Sequence, residues 1–306
     1  MKRVFMFNPR AGGGISARRL REIERYFLDR TGSFDVIRCE SRDDLTRRTR
    51  DALLGGAEQI VAIGGDGTMN AAANGFFEQG RPVAPAACLA VSRLGTGSDY
   101  LKTLAPDRTT DWREVALNPV MRAVDVGAIR TLDDSRPPMH FLNIASFGMS
   151  GEIVRRKQQM PGWLPRSLCY LLPTLASLFG ARPRSIELEL DGQSLRREAL
   201  CLFASKGIFA GGGMRFGGGV TLDDGLFDVM LFTSMTSLQM LLKTPKLYSG
   251  DYADEPSIEK HTARSLRFRS SAPLTGECDG ELIGAGDFEI TLSPRALQVC
   301  CPATTA

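Results

Sequence analysis

The first third of the chain alternates short, mostly apolar runs with amphipathic stretches. Residues 4–7, 34–37, 59–63 and 89–91 are apolar runs of strand length. Between them, residues 18–27 place Leu20, Ile23, Tyr26 and Phe27 at helical spacing, and residues 43–54 and 69–77 read as two further helices. Apolar strands alternating with helices predict a parallel sheet covered on both faces. Such sheets bind ligands beyond the carboxyl ends of their strands. The glycine-rich stretches of the chain fall there.

After about residue 124 the texture changes. Residues 185–190, 200–203, 227–232 and 288–292 are short β-type runs separated by Gly, Pro and Asp turns. One apolar helical insert, residues 168–179, carries Pro173. The expected fold class is therefore α/β plus β. A parallel-sheet domain over residues 1–124 precedes a mainly antiparallel β-sandwich domain over residues 125–306, with the last 15 or so open to rejoining the first domain.

The 306 residues suffice for two ordinary domains, and 43% apolar with 24% charged residues is a globular balance. A net charge of +3 gives no argument for nucleic acid. No apolar window reaches spanning length, and the start MKRVFMFNPR reads as a buried strand, not a signal peptide. The seven cysteines form no C-x-x-C pair and several lie in apolar runs, which suits reduced thiols in a cytoplasmic protein. With only His140 and His261, acid–base chemistry would fall to carboxylates. Homodimer formation is left open.

Gly64-Gly65-Asp66-Gly67-Thr68 follows a strand and opens a helix. Amides at a helix N-terminus form an anion site, and glycine lets a phosphate approach the backbone. The plainer reading is a tight turn with Thr68 as N-cap. A second loop, Leu94-Gly95-Thr96-Gly97-Ser98-Asp99, repeats the mixture of glycine, hydroxyl and acid after the fourth strand. Asn8-Pro9 and Gly12-Gly13-Gly14 follow the first strand. Neither G-x-x-x-x-G-K-[ST] nor G-x-G-x-x-G after the first strand occurs. Asp66 among phosphates calls for Mg²⁺ between them, for loop amides to hold, or for a proton to take. All three readings belong to phosphoryl transfer.

GGDGT at residues 64–68 is shared by diacylglycerol kinases, sphingosine kinases, NAD kinases and phosphofructokinases. Further elements choose among them: Asn8-Pro9, Asn70, Gly95-Thr96-Gly97-Ser98-Asp99, Asn143 to Gly148, Gly211 to Met214, Asp223-Asp224-Gly225 and Asp279-Gly280-Glu281. In this order they resemble the diacylglycerol kinase catalytic-domain family, particularly its soluble bacterial lipid-kinase branch. The resemblance spans residues 4 to about 290. It implies an NAD-kinase- and phosphofructokinase-like first domain, a β-rich second domain, and a site in the cleft between them. Three positions depart from the family pattern. Ser98 stands where Asn is usual, Lys206 stands near a usual Asn, and Cys39 stands where a Thr often lies near the nucleotide. Lys206 could contact phosphate or mark a different acceptor.

The resemblance implies ATP as donor, with Asn8, Gly64, Gly65, Asp66, Gly67, Thr68, Asn70, Gly95 and Thr96 around its phosphates, and Mg²⁺ with it. It implies Glu281 as the base toward an acceptor hydroxyl, with Asp66 able to share that role; the backbone of Asp279-Gly280 reads as a hairpin turn. It also implies a second, structural Mg²⁺ held by Asp224 and the carbonyls of Thr221 and Leu226, although Asp223-Asp224-Gly225 alone reads equally as a turn. Asp125 and Asp228 read as plain strand-end acids. The implied acceptor is a diacylglycerol-like or sphingoid-like lipid met transiently at a membrane surface, its chains in an apolar slot lined by residues 168–179 and 207–219. The run Arg155-Arg156-Lys157 could meet anionic lipid, or be a solvated charge run. A soluble acceptor such as NAD, and a non-catalytic nucleotide or lipid sensor, are the competing readings.

Overall fold

The computed structural model of the protein describes residues 1–9, 17–94, 98–107, 109–133, 135–161, 164, 166–180, 182–233, 236–252 and 255–302. Two compact units emerge, Met1–Val126 with Ser293–Ala306, and Gly127–Leu292.

In the first unit β1 (Arg3–Phe7), α1 (Ala17–Thr31), β2 (Asp35–Arg38), α2 (Arg42–Leu54), β3 (Gln59–Ile63) and α3 (Asp66–Gly75) alternate. A two-residue hairpin, β4 (Phe77–Glu78) and β5 (Arg81–Pro82), leads to β6 (Cys88–Val91), α4 (Asp99–Leu104) and α5 (Trp112–Leu117). The main strands run parallel in the order β2-β1-β3-β6. All five residues of β3 are buried, as a strand covered on both faces requires. Leu20, Ile23 and Phe27 of α1 pack with Phe5 and Val61 of the sheet. The residues of α3 are small, so α2 comes close: the Thr46 hydroxyl donates to the Ala71 carbonyl at 2.8 Å. A Cβ on Gly75 would lie 2.5 Å from Thr49 Cβ. The helix expected over residues 69–77 in fact starts at Asp66 and ends at Gly75, because Gly65 is extended and caps it. The chain leaves β1 toward β2 on one side and β3 toward β6 on the other. The gap between β1 and β3 is thus the switch point of the sheet, where ligands of such folds bind.

A long strand, β7 (Val120–Thr131), leads into the second unit. It continues with β8 (Met139–Phe141), β9 (Ile144–Gly148), α6 (Met149–Gln158), α7 (Arg166–Gly180), β10 (Arg184–Leu190) and β11 (Gln193–Ser205). Then come the short β12 (Phe209–Ala210) and β13 (Met214–Arg215), β14 (Phe227–Thr233), α8 (Ser237–Ser249), β15 (Ile258–Ala263), β16 (Ser265–Ser270), β17 (Leu274–Cys278), β18 (Glu281–Gly286) and β19 (Phe288–Cys301). Pairing within this unit is antiparallel, in the order β18-β17-β9-β11-β10-β16 with β14 and β15 branching from β11. An irregularity between Ala199 and Cys201 divides β11, so that its start pairs with β10 and its end lies between β9 and β14. Two apolar clusters result, one around Phe147, Phe268 and Phe288, the other around Phe203, Phe216 and Phe232. The last residues of β19 pair in parallel with β6, Gln298 beside Cys88, and so belong to the first unit.

Where sequence predicts a single helical insert, the described residues of the second unit form three helices. Both α6 and α8 went unread, although α8 carries a capping box between Thr236 and Gln239 and ends at Gly250 in the left-handed region. A Cβ on Gly151 of α6 would lie 2.2 Å from the Thr275 carbonyl oxygen, so glycine there lets α6 rest on β17.

Candidate active site

Register places the first-unit residues. Phe7 pairs with Ile63, so Asn8 and Gly64 leave neighbouring strands at the same level, on either side of the switch point. Gly64 is locked by Ser92, which takes its amide at 2.9 Å and donates back to its carbonyl at 3.1 Å. A Cβ on Gly64 would lie 2.1 Å from Thr68 Oγ1. Thr68 thus packs over Gly64 and is buried, and the capping position that sequence offered it belongs to Gly65. Gly65 brings no side chain, so no side-chain oxygen caps the start of α3. Gly65, Asp66 and Gly67 are the partly exposed residues of this turn. A helix start left to backbone amides suits an anion, and Asp66 sits in that first turn.

Asn70 is fully buried one turn further on, where its Oδ1 accepts from Arg42 of α2 and from Asn74 at 3.1 Å. It ties the two helices behind the turn. Gly95 and Thr96, with Gly97, lie outside the described residues, as do Gly12, Gly13 and Gly14. Ser98 has φ 45° and ψ 43° at the start of α4, a left-handed conformation that Asn tolerates better than Ser. Cys39 follows β2, its amide bonded to the Phe7 carbonyl at 2.8 Å; burial pushes its thiol up to about 11.

In the second unit, Asp279 and Gly280 have φ 49° and 86° and join β17 to β18 with Cys278 opposite Glu281. Positive φ at both central residues defines a type I′ hairpin. Glu281 is therefore the first residue of β18 and is half-buried at the hairpin tip. Asp279 does something else. Its buried carboxylate accepts the amides of Leu142, Asn143 and Ile144, each at 3.0 Å. Within the Asp-Gly-Glu run, Asp279 is thus the backbone anchor and Glu281 the half-buried acid that opens β18.

Glu277 was not singled out by sequence. It is buried and accepts from the Ser146 hydroxyl and from the Gly280 amide, the latter at 2.9 Å. Burial pushes its carboxyl up to about 7, against the opposing pull of Ser146 and Gly280. The one sequence signal was a Glu two residues ahead of a hairpin acid. It keeps the regular alternation of β17, in register with Ser146 of β9; the extra residue of the irregularity opposite it is Ile283 of β18.

The expected structural Mg²⁺ at Thr221, Asp224 and Leu226 does not fit these residues. Lys206 Nζ donates to Asp224 Oδ1 at 2.9 Å and to the Leu226 carbonyl at 2.7 Å. Thr221 presents its amide, 2.6 Å from Asp224 Oδ2, and the Leu226 amide lies 3.1 Å from Oδ1. An ammonium stands where the cation was expected. Burial pushes the Asp224 carboxyl up, but hydrogen bonds from Lys206, Thr221 and Leu226 outweigh it and hold the group below its ordinary value. Lys206, with a fully buried side chain, is directed at this turn.

Asp228 receives the amides of Gly218, Gly219 and Val220 at 2.8, 3.0 and 3.3 Å, and Asp125 that of Arg295 at 2.9 Å. Both acids hold backbone. Where sequence placed an apolar slot, Leu178 of α7 and Phe216 of the glycine-dense segment share a packed cluster with Phe203 and Met240. Arg155 and Arg156 lie on α6 and both pair with Glu152. In the second unit, Leu172 on α7 and Leu238, Leu242 and Tyr248 on α8 are exposed, as Leu28, Leu54, Val120 and Met121 are in the first. No described helix is long and apolar enough to cross a membrane.

The profile described as the diacylglycerol kinase catalytic domain matches residues 2–129, and that of the YegS C-terminal NAD kinase beta sandwich-like domain matches residues 143–301. The chain belongs to the diacylglycerol kinase catalytic-domain family and is an enzyme of the lipid-kinase type. It is 30% identical to the Probable lipid kinase YegS-like of Chromohalobacter salexigens, over 86% of this chain and 82% of the relative. It is 24% identical to the Diacylglycerol kinase of Bacillus subtilis (strain 168), over 99% of this chain and 97% of that one. The fold matches a crystal structure of a diacylglycerol kinase from Bacillus anthracis str. Sterne, with a TM-score of 0.72 at 19% identity, covering 100% and 98% of the two chains.

Proposed function

We propose that the protein transfers the γ-phosphoryl group of MgATP to a hydroxyl of a diacylglycerol-like or sphingoid-like lipid. The observation that carries this is the division of labour in the Asp-Gly-Glu hairpin. Asp279 is consumed in holding backbone, and Glu281 is half-buried beside it at the hairpin tip that this anchor fixes. A carboxylate held this way suits proton acceptance from an alcohol. The amides of Gly65, Asp66 and Gly67 would bind the nucleotide phosphates, and the Asp66 carboxylate would face the magnesium that travels with ATP. Magnesium supplies charge neutralisation on the phosphates. Asn70 would act from behind, by fixing α3 against α2. The exposed Leu172, Leu238 and Leu242 favour an acceptor whose chains remain partly in a membrane surface.

The test is a kinase assay with labelled ATP against diacylglycerols and sphingoid bases in mixed micelles, and against NAD in solution. Labelled lipid phosphate is expected. Phosphorylation of NAD with none of any lipid would replace this reading with the soluble-acceptor one, and ATP binding without turnover on any acceptor would make the protein a sensor.

A further inference from the structure

Lys206 sits at the centre of the second unit's polar frame. Its backbone amide and that of Gly207 donate to the Asn143 carbonyl at 2.8 and 3.0 Å. Its side chain is fully buried and ends on Asp224 and Leu226. A buried ammonium is stable only when its charge is met and its donors are used. Here a carboxylate meets the charge and a carbonyl takes a second donor. These two oxygens belong to residues that a divalent ion would need. Magnesium draws its ligands to about 2.0–2.1 Å in a nearly regular octahedron and keeps part of its water. An ammonium in the same place excludes it by volume and by charge.

We propose that the Lys206 ammonium is a built-in replacement for a structural divalent cation at the Asp224 turn, so that the second unit of this chain folds and holds its hairpin without a metal there. The ammonium contributes one positive charge and fixed donors, and it comes tethered to the segment that holds Asn143. Since Asn143 is also bonded to Asp279, one continuous frame joins the Asp224 turn to the hairpin that carries Glu281. The proposal concerns the turn alone and holds for any acceptor. The magnesium that accompanies ATP is a separate ion.

The experiment is thermal unfolding of the full chain without nucleotide or lipid, in EDTA and in millimolar MgCl₂, for wild type, Asp224→Ala and Lys206→Met. Lys206→Met removes the charge while keeping most of the volume, and its midpoint should fall by about 5–10 °C in both buffers, because Asp224 is left without its counter-charge. Any increment that magnesium gives the wild type should be the same in Asp224→Ala. A magnesium increment present in wild type and lost in Asp224→Ala would overturn the proposal, as would a Lys206→Met midpoint equal to wild type. If Lys206→Met does not fold, the comparison of wild type with Asp224→Ala decides alone. Mn²⁺ titration followed by water-proton relaxation gives a second reading: a manganese ion bound to wild type and lost in Asp224→Ala rejects the replacement, and identical titrations support it.

Discussion

Asp279 binds Asn143 through its carboxylate: Oδ1 takes the Asn143 amide at 3.0 Å, with the Ile144 amide at the same distance on the same oxygen. In return the Asp279 amide donates to the Ile144 carbonyl at 2.9 Å. The strand leading into β9 and the hairpin tip are thereby one piece. Two roles fall on one residue, since Asp279 must also adopt a left-handed φ of 49°.

Asp279→Ala should therefore cost more than a turn substitution. Three buried amides lose an ionised acceptor and the left-handed strain is no longer offset, for a loss of about 2–4 kcal/mol. Asp279→Asn keeps one acceptor oxygen and the left-handed tolerance, and should lose about half as much. Urea unfolding of the three proteins checks the order. Equal stability of the Ala variant and wild type would remove the anchor.

Glu281→Gln keeps the shape of the hairpin tip and removes the proton acceptor. Turnover should fall by about 10²–10⁴, the usual contribution of a general base, with ATP affinity nearly unchanged. The split is read by steady-state kinetics on the lipid and by calorimetry with ATP. A matching loss in nucleotide affinity would give Glu281 a binding role instead.

Asp66→Ala should abolish phosphoryl transfer and leave the fold intact. Gly65 caps α3 in either protein, and an acidic residue at a helix start contributes about 0.3–1 kcal/mol, too little for its loss to unfold the domain. Circular dichroism and unfolding should resemble wild type while product formation disappears. Retained turnover would mean that the carboxylate in the glycine turn is structural.

What sequence disclosed follows the range of the interactions. GGDGT could be placed at a strand–helix junction because the five residues of β3 and the glycines after it are local features. The Asp279-Gly280 turn was legible for the same reason. The ammonium on Asp224 was not, because it joins residues 18 apart through the end of β11. Asn70 illustrates a different gap. Its motif position suggested the nucleotide, but its burial depends on Arg42 arriving from α2. Helix α8 was hidden by Pro245 and by flanking strands that set the local texture, though its Thr236 cap stood in plain view.

Glu277 gives the protein a pH dependence of unusual sign. Burial raises its carboxyl from 4.5 to about 7. Of the groups facing it, Asp279 on the turn raises it further, while Lys157 of α6, the Ser146 hydroxyl of β9 and the Gly280 amide oppose the rise. A carboxyl raised in the folded state favours folding while protonated. Its contribution is fully present below pH 4.5, the unfolded value, and is lost as the pH rises through about 7. The span of 7 minus 4.5 corresponds to about 3 kcal/mol. Carboxyls held low, such as Asp224, act in the opposite direction and lose their contribution only on acidification. They cancel when wild type is compared with Glu277→Gln at each pH. Gln offers an acceptor to Gly280 and a donor to Ser146, much as the protonated carboxyl does. The Gln variant should therefore match wild type near pH 4.5 and exceed it by up to about 3 kcal/mol above pH 7.5, in urea unfolding across that range. Parallel stability curves for the two proteins would show that Glu277 titrates alike in the folded and unfolded chain, with Ser146 and Gly280 offsetting its burial.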